Sequence, residues 1–170
     1  MRIALISDTH SYLGQDVIDQ IIDCDEIWHG GDIGNIDTAE AIEAIGPPVK
    51  MVWGNIDGRD LRITYPKDLI WEVEGIKVFM THIGGYPGRY YKSPLRRIQE
   101  EKPNLFICGH SHILKVMPDR KNNLLHMNPG ACGIKGFHKF RTLLKFEIIN
   151  SKIENLQAVE LGLRGRLNEK

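Results

Sequence analysis

Apolar residues in the first sixty positions fall into short unbroken runs, and each run ends in a polar loop. Ile3-Ala4-Leu5-Ile6 is hydrophobic throughout instead of alternating, which predicts a strand buried on both faces. Apolar positions 17, 18, 21 and 22 then follow helical spacing. Glu26-Ile27-Trp28-His29 reads as a second strand. Residues 38–45 read as a helix with Ala39, Ile42 and Ile45 on one stripe, capped by Asp37 or Thr38 and stopped by Gly46-Pro47-Pro48. A third strand covers 49–53. Strand alternating with helix predicts parallel pairing with right-handed crossovers, an α/β class.

The rhythm then changes. Runs at 69–73 and 76–80 flank Glu74-Gly75, a two-residue hairpin signal. Ser93-Pro94 opens a helix over 95–101, with the serine as cap and proline in the first turn. A buried strand follows at 104–108. The remainder is mostly β, with strands at 114–116, 124–127, 143–149 and 153–159, and turns at Asn122-Asn123 and Asn150-Ser151. No linker or repeat interrupts the pattern. It predicts one domain over 1–163, followed by a charged tail, 164–170, that frays.

Composition narrows the classes. At 170 residues, 42% hydrophobic and 26% charged, the chain has the make-up of a globular protein. Lysine plus arginine equals aspartate plus glutamate at 22 each, so no global field favours strong nucleic-acid or anionic-membrane binding. No apolar run approaches the ~20 residues that span a bilayer. Three cysteines without a CxxC spacing read as reduced thiols, not a disulfide framework. Met1-Arg2-Ile3 enters a strand with no signal-like segment, which makes the cytoplasm the expected compartment.

The chemistry collects where the strands end. Asp8 and His10 stand two residues apart after the first strand, a spacing that projects both side chains to one side. An aspartate there also commonly caps the next helix, so this pair alone decides nothing. The same kind of residue recurs, however, after four further strands: Asp32, Asn55, His82, and His110 with His112. Two carboxylates, one amide oxygen and four imidazoles suit a pair of borderline divalent ions such as Mn²⁺, Fe²⁺ or Zn²⁺ better than Ca²⁺.

In order, Asp8-x-His10, Gly31-Asp32, Gly54-Asn55-x-Asp57, His82 and Gly109-His110-x-His112 resemble the calcineurin-like metallophosphoesterase superfamily. Asn128-Pro129-Gly130 and the compact size resemble its small, uncapped bacterial and archaeal phosphodiesterase branch. The resemblance implies a two-sheet β-sandwich flanked by helices, in four layers αββα, with metals at one edge. It implies one ion on Asp8, His10, Asp32 and His112, and another on Asp32, Asn55, His82 and His110, with Asp32 shared. Asp32, Asn55 and His82 are also the candidate catalytic residues. By that resemblance, two such ions would activate a shared water for in-line attack on phosphorus. Mn²⁺ is the expected metal, with Fe, Zn, Ni and Mg as alternatives, and a small phosphoester the expected substrate; homo-oligomerisation stays open. The alternative is a non-catalytic scaffold of the same fold, as in the metallophosphoesterase-like subunit of the retromer coat. Where much of the superfamily has a histidine after the asparagine, this chain has Ile56, and the small branch shares that departure. Asp57 either replaces the missing acid or fixes the loop.

Other residues have plainer readings. His29 is expected to be packed or to support a ligand, and Trp28, Trp53 and Trp71 to be core. His126 and His138 fall outside the motifs. Residues 84–91 either wall a pocket, with Arg89 facing a phosphate, or form a solvated loop.

Overall fold

The computed structural model describes residues 1–165. Its first half runs β1 (Arg2–Ile6), α1 (Gln15–Ile21), β2 (Glu26–His29), α2 (Ile36–Glu43), β3 (Val49–Met51), α3 (Arg59–Thr64). The second half runs β4 (Asp68–Val73), β5 (Ile76–Thr81), α4 (Lys92–Glu101), β6 (Leu105–Ile107), β7 (Leu114–Asp119), β8 (Leu124–Pro129), β9 (Phe140–Ile149) and β10 (Lys152–Leu163). They form two five-stranded mixed sheets, ordered β10-β9-β1-β2-β3 and β4-β5-β6-β8-β7. This is the sandwich flanked by helices that the family resemblance implied. No helix among the described residues is long and apolar enough to cross a membrane.

Alternation along β1 shows how the layers are built. Ile3 and Leu5 join the core between the sheets, with Trp28, Val78, Met80, Ile107 and Phe146. Ala4 and Ile6 face the opposite way, against Val17 and Ile21 of α1 and Ile42 of α2. One strand therefore serves two cores, which is why its sequence is apolar without a break. A third cluster, Phe79, Phe106 and Ile98, seats α4 on the outer face of the second sheet. The strands β1, β2 and β3 pair in parallel as expected.

Both sharp hairpins hold. Glu74 and Gly75 have φ of 45° and 77°, and Asn150 and Ser151 have φ of 51° and 60°, the paired positive values of a two-residue turn with the strands' own twist. Local boundaries differ more. The cap of α2 is Asn35, whose side chain accepts from Thr38 N–H, so the helix starts two residues before the Thr38 expected. Ser93 lies inside α4 and caps nothing; the helix opens at Lys92 after Tyr91. Helix α3 was not anticipated, because six residues with one buried apolar position, Leu61, carry no readable periodicity. The fraying expected of the tail falls mainly on 166–170, outside the described residues.

Candidate metal centre

Loops from both sheets converge at one edge of the sandwich. The loops after β1 and β2 run side by side: Asp8 N–H donates to Gly31 O, His10 N–H to Asp32 O, and Ser11 N–H to Ile33 O. Gly109 N–H donates to His82 O within the second sheet. Gly133 N–H reaches Asp8 O, tying the segment after β8 to the first loop. Asn128 braces the His110 loop, its amide donating to Gly109 O at 2.8 Å and to Ser111 Oγ at 3.2 Å.

This convergence forces unusual backbone. Asp8, His10, Asp32, His110 and His112 all have φ between 49° and 69°. That region costs a non-glycine residue about 1 kcal/mol or more, and such residues cluster at functional sites. Glycine is required beside them. A Cβ on Gly54 would run into the Asp32 carboxylate, and one on Gly31, at φ +96°, would lie within 2.8 Å of the His82 ring.

Six of the seven expected ligands fall into two groups, Asp8-His10-His112 and Asp32-His82-His110, with ligand atoms within 4.8 Å of one another in each. Asn55 Oδ1 lies 3.2 Å from His82 Nε2, which places the seventh beside the second group. Asp32 spans both: its Oδ1 is 3.2 Å from His82 Nε2 and its Oδ2 is 3.5 Å from His10 Nε2. Among the buried polar atoms without a hydrogen-bond partner are Asp8 Oδ1 and His10 Nε2. The other Asp8 oxygen accepts from Ser7 Oγ at 2.6 Å and from His110 N–H at 3.2 Å. Buried lone-pair atoms that face one another without a hydrogen-bond partner are costly unless a cation sits among them. The donor set and its two groups therefore fit divalent metal ions.

The tautomers are set from behind. His82 Nδ1 donates to Gly30 O at 2.8 Å, which leaves the Nε2 lone pair facing the site. His138 does the same for His112. Its Nε2 donates to Gly133 O at 3.1 Å, so its Nδ1 accepts from His112 Nδ1–H at 3.0 Å. That frees His112 Nε2, 3.2 Å from Asp8 Oδ1. His138 falls outside the sequence motifs, and nothing in its surroundings announces a contact 26 residues away.

Electrostatics agree with a cation-seeking site. Burial would raise Asp8, but His10, His112, His82 and Ser7 hold its carboxyl well below the usual range. Asp32 is likewise opposed by burial and lowered by His82. Burial would lower His82, yet Asp32 and Asp8 raise it. His110 is pushed down by burial and by the His82 charge.

Other candidates resolve differently. Asp57 is buried, and its carboxylate accepts from Ile33, Gly34 and Gly54 N–H at 3.2, 2.7 and 2.7 Å. It fixes the loop and is not the missing acid. Ile56 stands 45% exposed and offers the site only its backbone N–H, which donates to Asp32 Oδ1 at 3.0 Å. His29 is packed as expected: Nδ1 accepts from Gly31 N–H, Nε2 donates to Thr9 Oγ1, and burial pushes it down to about 4. His126 packs against Tyr90 and Phe106, away from the centre. Trp28 is fully buried and Trp71 packs edge-on against it at 4.8 Å. Trp53 is not core; it is half-buried and lines a cavity beside Asn55 and His82. Arg89 is exposed and is not among the residues lining that cavity, although Tyr91 is.

A family model described as the calcineurin-like phosphoesterase superfamily domain matches residues 1–151. A comparison with curated proteins found no match. Among solved structures, a predicted phosphoesterase from Streptococcus pneumoniae TIGR4 is similar at 21% identity and a TM-score of 0.70, covering 95% of this chain and 91% of its own. An archaeal phosphodiesterase is 20% identical with a TM-score of 0.73, covering 94% and 99%. Vps29 of Entamoeba histolytica, complexed with Zn²⁺, is 15% identical with a TM-score of 0.72, covering 95% and 100%. At these identities the likeness is one of fold.

Proposed function

Because the chain belongs to the calcineurin-like phosphoesterase superfamily, we propose that it is a metal-dependent hydrolase of phosphodiesters, with phosphomonoesters as a second substrate class. The observation that carries this reading is the pair of buried, unpartnered atoms, Asp8 Oδ1 and His10 Nε2, in a double cluster of ligand-type side chains. Asp8, His10, Asp32 and His112 would hold one divalent ion, and Asp32, Asn55, His82 and His110 the other, with Asp32 shared. Mn²⁺ suits this mixed imidazole and carboxylate set, as do Fe, Zn and Ni; Mg²⁺ suits it least. Bound there, the ions would lower the pKa of a coordinated water and neutralise phosphate charge.

The chain's own residues position that chemistry. Gly30 O holds His82 in the tautomer that presents Nε2, and His138 does so for His112. Asn55 turns its amide oxygen toward His82, with the loop beneath fixed by Asp57. No side chain that could protonate a leaving oxygen stands at position 56. A general acid contributes about 10²- to 10⁴-fold, so esters of acidic alcohols should react much faster than alkyl esters.

The alternative is a binding scaffold of the same fold. The orphaned ligand atoms call for metal in either reading, so turnover is what separates the enzyme from the scaffold. The test is metal-stripped protein assayed on bis-(p-nitrophenyl) phosphate and p-nitrophenyl phosphate, with Mn²⁺ restored. Hydrolysis of the diester well above the metal-only control is expected. No rate above that control on either ester would overturn the reading.

A further inference from the structure

A cavity of about 350 Å³ opens directly beside the second ligand group, sharing Asn55 and His82 with it. That volume lies within the ~300–1,000 Å³ of small-molecule sites. Its apolar walls are Trp53, Ile83, Tyr91 and Pro94. Tyr91 is 57% exposed and Ile83 37%, an arrangement that wastes apolar surface unless something flat covers it.

Its polar rim is biased toward anions. Arg62 and Lys67 both line the cavity, against one carboxylate, Asp68. Among the described residues no carboxylate lies within ion-pairing distance of either cation: every pair within 4.0 Å involves other groups. Arg62 is nevertheless held in place. Its Nε donates to Asp57 O at 2.7 Å, one terminal nitrogen donates to Asn55 O at 3.0 Å, and its guanidinium lies over the Trp53 ring at 4.6 Å. A planar cation stacked on an indole and anchored to the loop carrying Asn55 is preorganised, so little side-chain freedom is lost on meeting an anion. Lys67 approaches the same ring at 5.9 Å.

Flat apolar walls, two unpaired cations and one acceptor carboxylate together match one chemical composition: an aromatic ring, an additional anion, and a donor N–H or O–H. We propose that this cavity is a nucleotide subsite. A nucleobase lies against Trp53 and Tyr91, and a phosphate other than the one being cleaved meets Arg62 and Lys67. Asp68 accepts from a hydroxyl or ring amine. The inference rests on the phosphoesterase reading for which bond is cut, and it makes the substrate a dinucleotide-like diester carrying a further phosphate.

Binding and turnover test it separately. Metal-free protein is titrated with ADP while tryptophan emission is followed, with Trp53→Phe as the control that identifies the responding indole. Quenching that is lost in Trp53→Phe, and an affinity that falls about tenfold in Tyr91→Ala and again in Lys67→Ala, are expected. In metal-loaded protein, the linear dinucleotide pApA should be preferred over ApA, and Lys67→Ala should shrink that preference about tenfold. Tyr91→Ala should lower kcat/KM for pApA relative to bis-(p-nitrophenyl) phosphate, chiefly through KM. Absence of ADP binding at millimolar concentration, or binding indifferent to Tyr91 and Lys67, overturns the subsite. An inactive protein that binds ADP in this way keeps the subsite and refutes only the hydrolase. A hydrolase indifferent to ADP and to the extra phosphate refutes only the subsite.

Discussion

Asp57 and Asp32 lie on neighbouring loops, each 2% exposed, and the protein treats their carboxylates in opposite ways. Backbone amides of three residues surround Asp57. Asp32 receives one amide, from Ile56, and its other oxygen faces His10 Nε2 at 3.5 Å. The histidines repeat the contrast. His29 has both ring nitrogens occupied by Gly31 N–H and Thr9 Oγ1, whereas His82 spends one on Gly30 O and turns the other toward Asp32 and Asn55. A closed floor of satisfied polar groups thus supports an open layer of ligand-type atoms that face one another, with Asp8 Oδ1 and His10 Nε2 left without any partner. Residue type does not separate the layers. What separates them is whether neighbouring backbone and hydroxyl groups occupy every polar atom, as around Asp57 and His29, or leave one facing another ligand-type side chain, as at Asp32 and His82.

That contrast can be broken layer by layer. Removing a member of the open layer should destroy activity and spare the fold. Asp32→Ala is expected to lower Mn²⁺-dependent diester hydrolysis by about 10³-fold or more while the circular dichroism spectrum is kept. Full activity in that variant would remove Asp32 from the site. Removing a member of the floor should do the reverse: Asp57→Ala strands three backbone N–H groups, for a loss of about 3–5 kcal/mol in urea unfolding.

Acid should probe the buried histidines outside the ligand set. Burial pushes His29 and His126 down to about 4 from the ordinary 6.5. Between those values the unfolded chain binds protons that the native chain does not, so stability is complete above pH 6.5 and is lost as pH falls toward 4. Each histidine accounts for roughly 3 kcal/mol over that window. His82, raised in the metal-free protein, acts with the opposite sign, its contribution fading as pH rises. The informative quantity is therefore the difference between native protein and His126→Phe, which should have a flatter curve from pH 7.5 to 4.5. An identical slope would show that His126 titrates normally. The smallest effect belongs to the support behind the open layer. His138→Ala should weaken Mn²⁺ binding about 10- to 100-fold by calorimetry, with little change in unfolding midpoint without metal.

Much of this was legible in the chain. Ile3-Ala4-Leu5-Ile6 had to be buried on both faces, and its residues do divide between two cores. The seven ligand-type residues were visible because each follows an apolar run, and the loops do bring them together. What stayed hidden depends on long-range geometry. His138 reaches His112 only because the segment after β8 folds back beneath the first loop. Trp53 reads as core because it ends a strand, yet β3 stops at Met51 and the indole turns to the cavity wall. Asp57 offered two roles from sequence, and only the positions of Ile33, Gly34 and Gly54 decide between them. Ser93 failed as a cap because the helix begins one residue before it.

Two divalent ions would complete the ligand set of the open layer. The direct measurement is metal content per chain after stripping, incubation with Mn²⁺ and removal of free ion, for the native protein and for His110→Ala. Two ions in the native chain, with one lost in the variant and diester hydrolysis lost with it, is the predicted result. A native chain that retains no ion at saturating Mn²⁺, or one whose content is unchanged by His110→Ala, would contradict it.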